Sequence, residues 1–232
     1  MKKKIVVLTG AGMSADSGLK TFRDADGLWE GHDVMSVASP EGFARNPELV
    51  LEFYNQRRRQ LLQAHPNVGH RALVRLEERF DVRIITQNVD DLHERAGSSQ
   101  VVHLHGELLK VRSTGNPGMV IEWKKDLGPG DTCDRGFQLR PHIVWFGEEV
   151  PLLPEAAAIT SGADILLIVG TSMQVYPAAG LIHYAPATIP VYFVDPRPSI
   201  RRAAYLNLRI IAEKAAKGIP PLVKTLLASE HS

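Results

Sequence analysis

The 232-residue chain carries 27 basic and 26 acidic residues, a formal net charge of +1, with 44% hydrophobic and 23% charged residues. That make-up suits one sizeable globular core, and its charge balance exerts no pull toward nucleic acid or a membrane surface. No stretch reaches the roughly 20 apolar residues of a membrane-spanning helix, and the single cysteine, Cys133, excludes a disulfide framework or multi-cysteine metal site and fits a reducing cytoplasm.

Met1-Lys2-Lys3-Lys4 opens the chain, but the apolar run behind it is too short for a signal peptide and enters Gly10-Ala11-Gly12 directly. Short Val- and Ile-rich runs at 4–9, 82–86, 101–104, 142–146, 165–170, 191–195 and 209–212 predict buried parallel strands. Helical patterns occupy 48–64, 70–79 and 152–160, and a closing helix ends near Leu227. This alternation predicts an α/β fold with a doubly wound, parallel, Rossmann-like sheet, the whole of 1–232 forming a single catalytic domain. Two stretches break the pattern. Residues 18–46 read as a flexible loop with short helices, and long loops in compact domains are usually functional. Residues 109–141 read as a small inserted lobe punctuated by Gly115-Asn116-Pro117-Gly118 and Gly128-Pro129-Gly130.

Gly10-Ala11-Gly12-Met13-Ser14-Ala15 follows the first strand and fits the G-x-G-x-x-(G/A) pattern of a tight turn. Such a turn lets the next helix start face a pyrophosphate. A hydride-transferring enzyme would then show a second strand ending in an acidic residue about 20 positions on. Here that region is loop-like, from Thr21 to Trp29, so a dinucleotide would need a different ribose contact. Polar groups gather at other strand ends. Gln87-Asn88-Val89-Asp90 follows one strand, Gly170-Thr171-Ser172 another, and Asp195 a third, where open α/β sheets bind ligands. Among nine histidines, His105 stands out because it sits before Gly106 at a strand end, where a near-neutral imidazole suits a general base. His93 and His103 read as hydrogen-bonded core residues.

Taken in order, these blocks resemble the sirtuin family. The matching stretches are Gly10 to Gly18 with Phe22-Arg23, Thr86 to Asp90 with Leu92-His93, Leu104-His105-Gly106, Phe146-Gly147-Glu148, and Gly170-Thr171-Ser172 with Val175 and Pro177. The resemblance implies an NAD-dependent protein-lysine deacylase that gives nicotinamide, O-acyl-ADP-ribose and free lysine. It implies NAD phosphates at Gly10, Ala11, Gly12, Ser14 and Ala15, and the adenosine end near Gly170, Thr171, Ser172, Asp195 and Ala215. The nicotinamide ribose would lie near Gln87, Asn88 and Asp90, under a loop carrying Phe22 and Arg23. His105, with Asn88, would serve catalysis by deprotonating a ribose hydroxyl. Val144, Phe146, Gly147 and Glu148 would pair with substrate backbone as an added strand, which tolerates many sequences.

Tyr54 and Arg57 lie three apart and share a helix face, where a phenol beside a guanidinium can grip a carboxylate. They resemble the pair marking the family's class III members, as Ala25 resembles the small residue that widens their acyl pocket. The expectation is a desuccinylase and demalonylase with weaker deacetylase activity. Neighbouring Arg58 and Arg59 read as a solvated basic face. One departure from the family is plain: most members hold a structural zinc with four cysteines, and this chain has one. No zinc is expected, and Val120, Ile121, Trp123, Leu127 and Phe137 are expected to hold the lobe together instead. Asp195 also stands where asparagine is common. The expected partners are acylated lysine side chains of proteins. A mono-ADP-ribosyltransferase and a catalytically inactive NAD-binding module are the alternatives, and His105 with the intact Gln87 to Asp90 block argues for the deacylase.

Overall fold

The structure is a computed structural model that describes residues 2–20, 28–29, 31–199 and 207–229. From the start of the chain its elements are β1 (Lys4–Thr9), β2 (Leu28–Trp29), β3 (His32–Asp33), α1 (Val34–Val37), α2 (Pro40–Arg45), α3 (Pro47–Gln63) and α4 (Val68–Leu76). Next come β4 (Asp81–Thr86), α5 (Leu92–Ala96), β5 (Val101–His103), β6 (Gly106–Ser113), β7 (Val120–Glu122) and β8 (Leu139–Ile143). The last are α6 (Leu153–Ser161), β9 (Ile165–Val169), β10 (Val191–Val194), β11 (Leu208–Ile211) and α7 (Ala215–Ser229).

The central sheet runs β11-β10-β9-β1-β4-β5 with every pairing parallel. Its strands are short and rich in Val, Ile and Leu because both faces are covered. Alternation along β1 sends Ile5 and Val7 to the face packed by Leu73, Ile219 and Val223 of α4 and α7. Val6 and Leu8 go to the face packed by Ala156 of α6 and by Leu181 and Ile182. Each fully buried aliphatic side chain contributes about 2 kcal/mol. From β1 the chain steps outward through β4 and β5, then returns on the other side through β9, β10 and β11. The order therefore reverses at the β1/β9 seam, where such sheets form their ligand crevice.

A second sheet, β7-β6-β8, is antiparallel. Its existence corrects two expectations. Residues 109–141 are less irregular than their turn residues suggest, since β6 runs into them as a regular strand. The apolar run 142–146 is also not a strand of the parallel sheet: β8 ends at Ile143 and pairs with β6, Gly106 opposite Ile143. Gly106 turns the chain out of β5 at φ +82, and an added Cβ there would lie 2.0 Å from the His142 carbonyl oxygen. The lobe core differs as well. Leu127 is buried with Leu51, Val111, Cys133 and Leu139, and Trp123 packs at its margin, but Val120, Ile121 and Phe137 are exposed. Strand β7 is a sheet edge whose three residues all face solvent. Among the described residues no helix is long and apolar enough to cross a membrane.

Helix α3 starts where Asn46 accepts from the Leu49 N–H and Pro47 supplies a pre-set φ. It carries three consecutive arginines, and about 100° of rotation per residue gives each a different fate. Arg57 lies over the Phe53 ring, 3.4 Å from its centroid, and donates to the Phe53 carbonyl. Arg59 is exposed and pairs with Glu52 and Asp126. Arg58 corrects the expectation of a solvated face. It is 1% exposed, donates to the Leu108 carbonyl and the Asn55 side-chain oxygen, and burial pushes its pKa down to about 10. Asn55 in turn exchanges two hydrogen bonds with the backbone of Leu127, so α3 is tied to the second sheet and to the lobe.

Candidate active site

At the β1/β9 seam three glycines bring backbone against backbone. The Gly12 N–H donates to the Gly170 carbonyl at 2.8 Å, and the Gly10 N–H to Val169 at 3.0 Å. A Cβ on Gly10 would come within 2.7 Å of the Thr171 Cβ, and one on Gly12 within 2.7 Å of the Gly170 Cα. Gly170 itself sits at φ +59. The turn is not followed by a long helix, as the sequence pattern suggested. Two short 3-10 turns, Ala11–Met13 and Ala15–Ser17, occupy the place, ending at Gly18 with φ +86. Asp16, Ser17 and Gly18 favour caps and turns over helix interiors. Asn67 at the start of α4 braces the turns by donating to the Met13 carbonyl and Ser17 Oγ.

Polar side chains converge on this floor. Asn88 donates to the Gly10 carbonyl at 3.1 Å and to Ser14 Oγ at 3.2 Å, and Ser14 donates to Asp90 Oδ2 at 2.9 Å. Gln87 donates to Thr171 Oγ1 at 3.1 Å, joining the ends of β4 and β9. Ser14, Asn88 and Asp90 are all buried. Burial pushes the Asp90 carboxyl up to about 6, against the hydrogen bonds from Ser14 and the Leu92 N–H. His105 lies just beyond β5, with Nδ1 3.0 Å from the Gln87 carbonyl oxygen. A carbonyl only accepts, so Nδ1 carries the proton and Nε2 keeps its lone pair. Burial lowers the His105 pKa, partly offset by the Gln87 bond, so the ring is neutral at neutral pH.

Other expected residues fall as follows. Ala11 and Ala15 belong to the 3-10 turns. Asp195 follows β10 beside the seam, since Gly170 N–H donates to Val194, and its carboxylate caps the Arg197 N–H. Ser172 accepts from Ser199 Oγ through its carbonyl, and Ala215 begins α7 beside Gly69. Phe22, Arg23 and Ala25 lie outside the described residues. His93 is fully buried and bonded to Thr9 Oγ1. Burial opposes charge on His103 and Glu94, but their 2.7 Å pairing outweighs it and holds His103 above and Glu94 below its ordinary pKa.

The segment after β8 is bound from within. The amides of Val144 and Phe146 donate to the carbonyls of His105 and Ala38, and Glu148 N–H donates to Trp145 O. Glu148 faces inward: its carboxylate accepts from Arg112, Arg140 and the Trp145 amide. These donors hold its pKa below the ordinary value against the upward push of burial. A substrate strand laid here would rely on carbonyl oxygens and on Gly147, which sits at φ +90. Tyr54 is reached through Trp145, whose indole N–H donates to the Tyr54 hydroxyl at 2.9 Å. Trp145, Arg112 and Arg140 were not singled out from sequence, where nothing marks two arginines as partners of Glu148. In the lobe, the one thiol does not fit a zinc site. Cys133 is buried and takes a hydrogen bond from Ser113 Oγ at 3.3 Å, and no group of three or more metal-ligating side chains occurs among the described residues.

The Sir2 family model matches residues 10–177. An NAD-dependent protein deacylase of Helicobacter pylori is 56% identical over 227 residues, covering 97% of this chain and 98% of that protein. One of Bacteroides thetaiotaomicron is 51% identical over 231 residues, covering 97% and 98%. Among solved structures, a Sir2 homologue in complex with ADP-ribose superimposes with a TM-score of 0.90 at 37% identity, covering 99% of this chain and 94% of that one. A Sir2 homologue bound to NAD gives 0.88 at 37%, covering 98% and 91%. This chain belongs to the Sir2 family.

Proposed function

We propose that the chain is an NAD-dependent protein deacylase acting on acylated lysine side chains. The observation that carries the reading is His105, a neutral histidine with its tautomer fixed so that Nε2 is the basic atom, beside the Asn88–Ser14–Asp90 cluster at the seam. NAD supplies a ribose carbon made electrophilic by a leaving nicotinamide. His105 Nε2 takes a proton from a ribose hydroxyl, and Asn88, Gln87 and Asp90 orient the sugar through amide and carboxylate groups. Gly10, Ala11, Gly12, Ser14 and Ala15 hold the phosphates with their backbone, and Gly170, Thr171, Ser172, Asp195 and Ala215 the adenosine end. Phe22 and Arg23 are assigned to the loop over the pocket. Val144, Phe146 and Gly147 face the peptide, and Glu148 holds that segment in shape.

Acidic acyl groups are the preferred substrates in this reading. Tyr54 and Arg57 share a helix face with a donor and a cation, and Ala25 gives the acyl chain room. The products are nicotinamide, O-acyl-ADP-ribose and free lysine. Residues 109–141 form a lobe that folds without zinc, and a cytoplasmic setting fits the single thiol.

Nicotinamide release tests the class: release only when acyl peptide is present supports it. Release without peptide indicates an NAD hydrolase, transfer of ADP-ribose to protein by mass spectrometry a transferase, and no release an inactive binding module. Each of those three overturns it. For the acyl group, succinyl- and acetyl-lysine versions of one peptide are compared in wild type and Arg57→Met. A preference for the succinyl peptide that the variant loses is the expected outcome.

A further inference from the structure

We infer that Trp145 is a positioning residue for acyl selection, its indole N–H fixing the Tyr54 hydroxyl as a hydrogen-bond donor toward a carboxylate-bearing acyl chain. The inference rests on the acidic-acyl reading above and deepens it, because that reading names only the side chains that would touch the acyl group.

An indole N–H can only donate, so at 2.9 Å the Tyr54 oxygen must be the acceptor. Conjugation keeps a phenol O–H near the ring plane, where it has two orientations. With the Trp145 N–H 2.9 Å from the phenol oxygen, an O–H turned toward it would set donor against donor, so the O–H takes the orientation away from the indole. The hydroxyl is thereby committed as a donor, which is what an acceptor-only carboxylate requires. Tyr54 is 1% exposed, and burial, the largest cause, pushes its pKa well above the ordinary phenol value. It therefore keeps the proton it donates. Arg57, one turn along the same face, lies close enough for its charge to act on the phenol.

Trp145 is itself immobilised. It is 2% exposed, and the Arg140 guanidinium stacks 3.3 Å from its ring centroid. Glu148 accepts from the Trp145 amide at 2.8 Å while also binding Arg140 and Arg112. The Phe43 ring lies 5.3 Å away on a further side. Groups from α2, β6 and β8 thus fix the indole, and the indole fixes the phenol. A phenylalanine keeps an aromatic ring but loses the five-membered ring that carries the N–H, so Trp145→Phe is paired with Tyr54→Phe, which removes the hydroxyl alone.

The test is Trp145→Phe, assayed with succinyl- and acetyl-lysine versions of one peptide. The succinyl-to-acetyl ratio of kcat/KM is expected to fall about 10-fold, the worth of one aligned hydrogen bond, through a raised KM for the succinyl peptide. Tyr54→Phe gives a fall of similar size, and the double variant falls no further. Equal losses on both peptides, or losses that multiply in the double variant, overturn the inference and leave the acyl reading standing. A wild type with no succinyl preference overturns both. Should Trp145→Phe fail to fold, the Trp145 indole resonance in ¹⁵N-labelled protein supplies the second reading. Movement with succinyl peptide and not with acetyl peptide supports the inference, and an identical response to both overturns it.

Discussion

The cluster at the β1/β9 seam and the junction between α3 and the lobe both bury polar side chains, but they satisfy them differently. At the seam the partners are amides, hydroxyls, backbone carbonyls and one carboxyl whose pKa is raised. At the junction they are full charges: Arg58 on carbonyl oxygens, Arg112 and Arg140 on Glu148, and Arg140 stacked on an indole. Partners that are neutral or, like Asp90, titrate near pH 6 leave protons able to move, which a site that accepts one needs. Buried ion pairs fix geometry, because each partner is costly to strand alone. The molecule keeps chemistry and shape in separate places.

The largest test of that division is His105→Ala. Loss of a general base lowers kcat by about 1,000-fold, with the thermal midpoint nearly unchanged. In wild type the acid limb of the pH–rate profile should lie at lower pH than that of an ordinary histidine, because burial lowers the His105 pKa and the base is lost only as pH falls through that lowered value. Glu148→Ala strikes the other region. It strands two guanidinium groups that are only 10% and 14% exposed, and should cost about 3 kcal/mol in urea unfolding while raising the peptide KM. An unchanged urea midpoint would show the ion pairs to be ornamental.

Asp90→Asn separates stability from function at the seam. The Asp90 pKa is raised to about 6, so the carboxyl favours the folded state while protonated, and that contribution is lost as pH rises from about 4 through 6. The variant should therefore be more stable than wild type by up to about 3 kcal/mol at pH ~8 and equal to it at pH ~4, with lower activity throughout. Thermal scans at the two pH values check this. Smallest of all is Arg59→Ala. Its pairs with Glu52 and Asp126 are about half exposed, and the urea midpoint should stay within error.

Much of this was legible in the sequence. Short continuous runs rich in Val and Ile marked the strands of the parallel sheet, and the block from Gln87 to Asp90 pointed to the seam because β4 ends there. The misreadings share a cause. Residues 142–146 look like a core strand, yet their pairing is decided by Gly106 and their shape by Arg112 and Arg140. Arg58 looked solvated because burial of an arginine is settled by acceptors at Leu108 and Asn55, which local spacing does not show. Val120 and Ile121 looked like lobe core because hydropathy does not reveal that β7 is an edge. For the glycine turn the pattern was readable, but its partner Gly170 lies far along the chain.

That glycine contact also bears on how the protein can be re-engineered. Gly10, Gly12 and Gly170 meet with no room for a methyl group, so a saturation library should return only glycine at all three positions. The base of the crevice cannot be deepened or made shallower one side chain at a time. New acyl preferences must instead be selected in the walls, along α3 and the 144–148 segment, where side chains rather than main chain set the boundary.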